Sequence, residues 1–381
     1  MDNILLVGLI YDSNLGDQAI YYSTKKMVED IVGPNYEIRA IDLYGRTGQP
    51  KSHNKIVTKI LNKIHPSNLT ANDICKKIEE QLPSICKDTR AIIFVGGGLI
   101  KYKHQIIAEP MITVLNYAEK LNIPVMLSAV GVEGYGEKDA LCQQLKAAIN
   151  QKCVQAITTR DDLELLKSSY VVNDNIAVAR VADPACSING LYKNNGKVAK
   201  RIGLGIGRRG LFQDYENAIS DEYVAEFWAK LYSLIKENGY DCYFFTNGLP
   251  ADDAFARAIM KQYNIPSNLL LERPKTLEQL ISQISSFEGM VVTRLHSSII
   301  GYSYAVPCIS LVWNQKQVMF GEATGCKDNY FEKEFDAKAV FERLVHEINH
   351  GESTINRDEY ICSTKTAIRA FLEKNSLALG E

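Results

Sequence analysis

The sequence predicts an α/β protein of two domains, each built on a parallel sheet with crossover helices. Short apolar runs alternate along the chain with longer stretches of helical period, the signature of repeated β–α–β units. At 381 residues the chain exceeds the roughly 250–300 at which a single core stops growing. A polar, glycine-containing stretch near the middle, NGLYKNNGKVAK at 189–200, separates two such series.

In the first series the strand candidates are Ile4–Leu9, Tyr36–Leu43, Ala91–Val95, Pro124–Val130 and Val154–Thr159. Between them lie helical stretches at Asp17–Ile31, Gln105–Leu121, Lys138–Ile149 and Asp161–Ser168. The second series offers strands at Arg201–Ile206, Cys242–Thr246, Leu269–Glu272, Glu288–Thr293 and Cys308–Val312, another Rossmann-like unit. The expected organisation is a first domain over 1–188, a linker over 189–200 and a second domain over 201–336. The helical remainder, 337–381, can cross back to the first domain.

Lysine and arginine total 43 against 45 aspartate and glutamate, a net charge of −2. That balance provides no general field for nucleic acid or any other polyanion, so an anionic ligand needs locally clustered cations. The nine cysteines form no C-x-x-C pair and several sit inside apolar runs, as buried, reduced thiols do. The chain enters its first apolar run without the basic segment of a signal peptide. No apolar stretch approaches the ~18–20 residues of a spanning helix. A cytoplasmic location is expected.

Four segments carry chemistry. The first strand runs into Asn14-Leu15-Gly16-Asp17, small and turn-forming residues where a β–α turn brings backbone amides to a ligand at a helix N-terminus. The bland alternative is a plain turn with Asp17 near the cap. Gly96-Gly97-Gly98 follows a buried strand, and three glycines cost backbone entropy that an ordinary turn does not require. Close approach to a ligand or the facing domain accounts for them, with Lys101 and Lys103 just beyond. Arg160 stands where a strand hands over to a helix, with an Arg–Asp surface pair as the competing explanation.

Thr293-Arg294-Leu295-His296-Ser297 is the most informative run. If the strand stays extended through it, Arg294 and His296 share a face, and Ser297 or Ser298 caps the next helix. A guanidinium fork beside a group titrating near neutrality suits phosphate binding with proton transfer. A structural histidine is the alternative.

Two further patterns need a decision. His346-Glu347-Ile348-Asn349-His350 satisfies H-E-x-x-H, a zinc-protease motif. On a helix, however, Phe341, Leu344, Val345 and Ile348 form the apolar face and both histidines point to water, so a metal site is rejected. Lys51, Lys55, Lys59 and Lys63 recur every four residues opposite Ile56, Val57, Ile60, Leu61 and Ile64. This basic amphipathic helix either packs on its own domain or lies on an anionic membrane surface at the inner face of the membrane.

Taken in order, these segments resemble the polysaccharide pyruvyl transferase family. The resemblance runs through Asn14–Asp17, Gly96–Leu99, Ser128–Val132, Thr159–Asp161, Ala182–Pro184, Arg294–His296, Gly301, Val306-Pro307 and Trp313–Lys316. One departure is Val130-Gly131-Val132-Glu133-Gly134, where a G-x-G-P-type turn is common. The resemblance implies a glycosyltransferase-B-like fold, two facing Rossmann-like domains with the active site in the interdomain cleft. It also implies transfer of the enolpyruvyl unit of phosphoenolpyruvate onto two hydroxyls of one sugar, forming a pyruvate ketal and releasing phosphate.

On that reading Arg294 and His296 are the catalytic pair, and Arg160, Arg208, Arg209, Ser297 and Lys316 bind the donor. Asn14, Gly16, Asp17, Gly96, Gly97 and Gly98 line the acceptor side. No cofactor or metal is expected beyond phosphoenolpyruvate as co-substrate, and the acceptor sugar is lipid-linked, nucleotide-linked or polymeric. Two rivals remain: a sugar-nucleotide-dependent glycosyltransferase of the same fold, and a non-catalytic polysaccharide- or phosphate-binding module.

Overall fold

The strand β1 (Asn3–Gly8) is buried along its whole length, as a central parallel strand covered on both faces must be. The structure is a computed structural model that describes residues 1–11, 14–47, 70–102, 106–194, 196–215, 218–333, 335–351 and 356–379. The basic helix expected over Lys51–Ile64, and Lys103, lie outside the described residues. Contacts group the chain into two units: Met1–Asp12, Ile20–Asp183 and Cys362–Glu381 in the first, Ser13–Ala19 and Pro184–Ile361 in the second.

After β1 comes α1 (Leu15–Val32), whose first residues to Ala19 group with the second unit and the rest with the first; β2 (Glu37–Asp42), α2 (Ala71–Ile85), β3 (Thr89–Val95) and α3 (Ala108–Leu121) follow in the first unit. Then come β4 (Val125–Val130), α4 (Ala140–Ile149), β5 (Val154–Thr159) and β6 (Ala177–Arg180). The six strands pair in parallel in the order β2-β1-β3-β4-β5-β6. Side-chain alternation divides the core. Leu5, Val7, Ile92, Phe94, Val125 and Leu127 pack with Ile74 and Ile78 of α2 and Met111 and Leu115 of α3. Ile4, Leu6, Ile93 and Met126 face the other way, toward Val28 and Ile31 of α1.

Local chemistry sets the helix starts. Thr70 and Asp73 form a capping box at α2, and the Asp139 carboxylate accepts from Cys142 N at α4. Asp42, 1% exposed at the end of β2, accepts from the amides of Ile10, Tyr11 and Tyr44 and from Arg46. It therefore pins the loop that leaves β1.

The second unit contains β7 (Arg201–Gly205), α5 (Asp221–Glu237), β8 (Asp241–Phe245), α6 (Pro250–Gln262), α7 (Leu277–Ser285) and β9 (Gly289–Val292). It continues with α8 (Leu295–Ser303), β10 (Cys308–Leu311), α9 (Gln315–Ala323), β11 (Tyr330–Phe331) and α10 (Ala337–His350). Its sheet is parallel in the order β8-β7-β9-β10-β11. Ile202, Leu204, Phe244, Val291 and Ile309 pack against Trp228 and Leu231 of α5 and Val340 and Leu344 of α10. On α10, Phe341 and Leu344 are buried while His346 and His350 are exposed, as the helical phase required.

The last helix, α11 (Arg357–Lys374), enters the first unit's group at Cys362. Its Ile368, Phe371 and Leu372 join the face of the first sheet that holds Ile4, Leu6 and Ile93. The polar stretch 189–200 is bonded within the second unit: Asn189 N donates to Ser303 Oγ, Lys197 Nζ to Ala305 O and Val198 N to Ser286 O.

One expected strand is not a strand. Leu269–Glu272 makes a single bridge, Leu270 to Phe244, after a short 3-10 turn at Ser267–Leu269. Pro266 and Pro274 bracket the run, and a proline has no amide to donate to a ladder.

Candidate active site

In the second unit the strand carrying the most informative run ends early. β9 stops at Val292, Arg294 is the N-cap of α8 with extended backbone, and His296 is the second helical residue. Arg294 and His296 are therefore neighbours at a strand-to-helix turn, and do not lie on one strand face as the extended-strand expectation had it. Thr293 causes the turn: its backbone N and Oγ1 both donate to Gly205 O, at 3.0 and 3.1 Å, closing the ladder. Ser297 does not cap the helix either. Its hydroxyl, fully buried, donates to Asn247 Oδ1 at 2.6 Å.

The Arg294 side chain is 17% exposed and turns to Asp252 in the first turn of α6. Its Nε donates to Asp252 Oδ2 at 3.0 Å and its Nη2 to Oδ1. Asp252 is 0% exposed; burial pushes its carboxyl pKa up, and the Arg294 guanidinium pulls it back down. The Arg208 backbone amide and charge also help to lower it. The Arg208 side chain pairs with Asp214, and Arg209 is exposed with its guanidinium 5.5 Å from the Phe255 ring centre. A Cβ at Gly207 would stand 2.7 Å from Thr293 Oγ1, so the Gly207-Arg208-Arg209 turn passes the end of β9 closely enough to need glycine.

His296 meets the N-terminal motif. A Cβ at Gly16 would lie 2.2 Å from His296 Nδ1, so only glycine lets the first turn of α1 approach the imidazole. Asn14 shapes that turn: its Oδ1 accepts from Gly16 N at 3.2 Å and its Nδ2 donates to Asp17 Oδ2 at 2.8 Å. Two motifs nearly 280 residues apart in sequence thus converge on one imidazole.

The Trp313–Lys316 run supports the same turn from β10. Trp313 Nε1 donates to Thr293 O at 2.6 Å, and the buried Gln317 amide reaches Thr293 O, Ser310 Oγ and Leu311 O. Lys316 is half-buried in the first turn of α9. The Tyr215 ring stands edge-on to Trp313, centroids 4.6 Å apart.

In the first unit Gly96, Gly97 and Arg160 form a second polar cluster. Gly96 has φ +155°. A Cβ at Gly97 would come within 2.7 Å of Arg160 Nη2, and one at Gly131 within 1.9 Å of Gly97 O. The Arg160 side chain is 7% exposed and ion-paired with the buried Asp183. The Asp161 Oδ1 accepts from Val132 N and Thr159 Oγ1. Gly98 follows in the same loop, and Lys101 lies 4.0 Å from Glu133. Of the sequence candidates, Asn14, Gly16, Asp17, Arg208, Arg209, Arg294, His296, Ser297 and Lys316 fall in the second unit and Gly96, Gly97, Gly98 and Arg160 in the first.

Sequence reasoning passed over Asp252, Asn247 and Gln317. Asp252 follows Pro250 at a helix start, where an acidic residue reads as ordinary complement to the helix dipole. Its partner 42 residues away leaves no local signal.

Among solved structures the chain is similar to UDP-GlcNAc 2-epimerases. The enzyme from Methanocaldococcus jannaschii has a TM-score of 0.62 at 12% identity, covering 98% of this chain and 100% of that one. The enzyme from Neisseria meningitidis, solved bound to UDP-GlcNAc, has a TM-score of 0.57 at 12% identity with the same coverage. These likenesses define the class: an α/β protein of glycosyltransferase-B-like fold with two Rossmann-like units. A search of curated proteins finds no match. The family model for polysaccharide pyruvyl transferase matches residues 14–315, and the chain belongs to that family. No helix among the described residues is long and apolar enough to cross a membrane.

Proposed function

We propose that the chain moves the enolpyruvyl group of phosphoenolpyruvate onto two hydroxyls of one sugar in a polysaccharide or its precursor. Two C–O bonds form at C2 of the enolpyruvyl unit, the C–O bond to phosphate breaks, and the terminal CH2 takes up a proton to become CH3. Of the two hydroxyl protons, one balances the new methyl group and the other leaves with phosphate.

The observation that carries this reading is the junction of β9 and α8, where a half-buried cation and an imidazole stand two residues apart at the carboxyl end of a parallel sheet. Arg294 suits the donor's carboxylate or phosphate, and its side chain is already oriented by Asp252. His296 suits delivery of the proton to the vinyl carbon or removal of one from an attacking hydroxyl. Ser297, Lys316 and the Arg208-Arg209 turn complete the donor side, with Asn14, Gly16 and Asp17 beside the imidazole. The glycine loop of the first unit is assigned to the acceptor. Phosphoenolpyruvate is the co-substrate and no further cofactor is invoked.

The test is phosphate release by the purified protein from phosphoenolpyruvate across a panel of sugar acceptors, with the product's ketal identified by mass spectrometry. Release that depends on an acceptor supports the reading. Consumption of a sugar nucleotide in place of phosphoenolpyruvate overturns it in favour of a glycosyltransferase.

A further inference from the structure

We propose that Asp252 is the positioning residue of the donor site: it fixes the Arg294 guanidinium in one arrangement, presenting its Nη1/Nη2 end to the donor. The proposal rests on the functional reading above, because it takes Arg294 as the donor's cation.

The contacts divide the guanidinium by edge. Asp252 takes Nε and Nη2, and no other hydrogen bond or ion pair of the Arg294 side chain is present among the described residues. The edge formed by Nη1 and the outer hydrogen of Nη2 is left to meet a planar carboxylate or two phosphate oxygens. Burial supports the same division, since Asp252 is 0% exposed while Arg294 is 17% exposed. The pair is closed on the acid's side and open on the arginine's.

Asp252 also ties two elements of the second unit together. It belongs to the first turn of α6, where the helix dipole favours a carboxylate. It holds the cap residue of α8 through Arg294. An arginine loses many side-chain rotamers when it is ordered, and a bidentate partner removes that loss from the binding step.

The experiment measures phosphoenolpyruvate affinity by calorimetry, and kcat with KM by phosphate release, for Asp252→Asn, Asp252→Glu, Arg294→Gln and the Asp252→Asn/Arg294→Gln double variant. In the otherwise native protein, Asp252→Asn is expected to raise Kd and KM at least tenfold while kcat changes less. In the Arg294→Gln background the same change is expected to move Kd less than twofold, because a residue that acts through another has nothing left to act on. Equal effects in both backgrounds overturn the proposal, as does an unchanged Kd beside a lowered Tm. If Asp252→Asn does not fold, Asp252→Glu keeps the charge but shifts the guanidinium, and an unchanged Kd there counts against positioning.

A native protein that binds no phosphoenolpyruvate removes the functional reading, not this one. Arg294 is then read directly by NMR, its Nε–H signal assigned with Arg294→Gln. Slow exchange of that proton in the native protein, lost in Asp252→Glu, supports the proposal, and fast exchange in the native protein sinks it.

Discussion

At Gly16 one hydrogen atom decides whether two motifs can meet. A methyl group there would collide with the His296 ring, so Gly16→Ala must displace either the first turn of α1 or the imidazole. Misplacing a catalytic group by about 1 Å can cost roughly 10²-fold in rate. Alanine also favours a helix over glycine by about 0.5–1 kcal/mol, which offsets part of the strain. Gly16→Ala is therefore expected to lower kcat by one to two orders of magnitude with little change in Tm; steady-state kinetics and a melting curve check both. His296→Gln keeps size and polarity but cannot titrate, and kcat is expected to fall by about 10²–10⁴-fold while phosphoenolpyruvate affinity changes far less. A near-normal kcat would take His296 out of the mechanism. The sequence singles out Arg294 and His296 as candidates, but it does not show their geometry, because Thr293 ends the ladder through contacts with Gly205, a residue 88 positions away.

At the scale of elements, the strands of the first series were legible wherever both faces are buried: β1, β3 and β4 carry apolar runs, and β5, VQAITT, is rich in β-branched residues. The edge strand β6, AVAR, was missed although Ala177, Val178 and Ala179 are apolar, because the run is only four residues long, below the commonest strand length. What the sequence hid inside β4 is a bend. Ala129 has φ +51°, its amide bonds Thr158 Oγ1, and the register with β5 shifts between Leu127 and Val130. A left-handed backbone costs an L-residue about 1–2 kcal/mol. Glycine in a strand usually costs about 0.5–1 kcal/mol relative to alanine. The relief outweighs the loss here, so Ala129→Gly is expected to be neutral or stabilising by up to about 1 kcal/mol. A β-branched side chain at positive φ is a strong outlier, and Ala129→Val should destabilise by about 2 kcal/mol or more. Urea unfolding measures both, and a glycine variant weaker than native by more than 1 kcal/mol would show that the bend is not strained.

Over the whole molecule the cysteines give a simple readout. Cys362 is exposed, while burial raises the thiol pKa of Cys86 to about 11 and those of Cys153 and Cys308 to about 12. These three stay protonated at neutral pH, and the thiolate is the reactive form. Labelling of the native protein with a thiol reagent at pH 7 should thus modify Cys362 first and these three only on unfolding. The last helix shows why chain order alone could not set the domain limits. From Cys362 on, it belongs with a sheet built from the other end of the chain. Ile368 and Leu372 are fully buried, and Phe371 and Leu377 nearly so, against Ile4, Leu6, Val28 and Ile93. Thr364 Oγ1 bonds Ala182 O, and Leu379 N donates to Ile31 O at 2.9 Å. Each such apolar side chain contributes about 1.5–3 kcal/mol on burial, so the four together rival the roughly 5–15 kcal/mol by which an entire domain is stable. Deleting residues 362–381 is therefore expected to abolish cooperative unfolding of the first unit and open it to limited proteolysis, while peptides from residues 201–350 stay protected. Phe371→Ala, a milder lesion, should lower the stability of the first unit by about 3–5 kcal/mol in urea. A truncated chain that unfolds with native cooperativity would mean that the first sheet keeps its core without this helix.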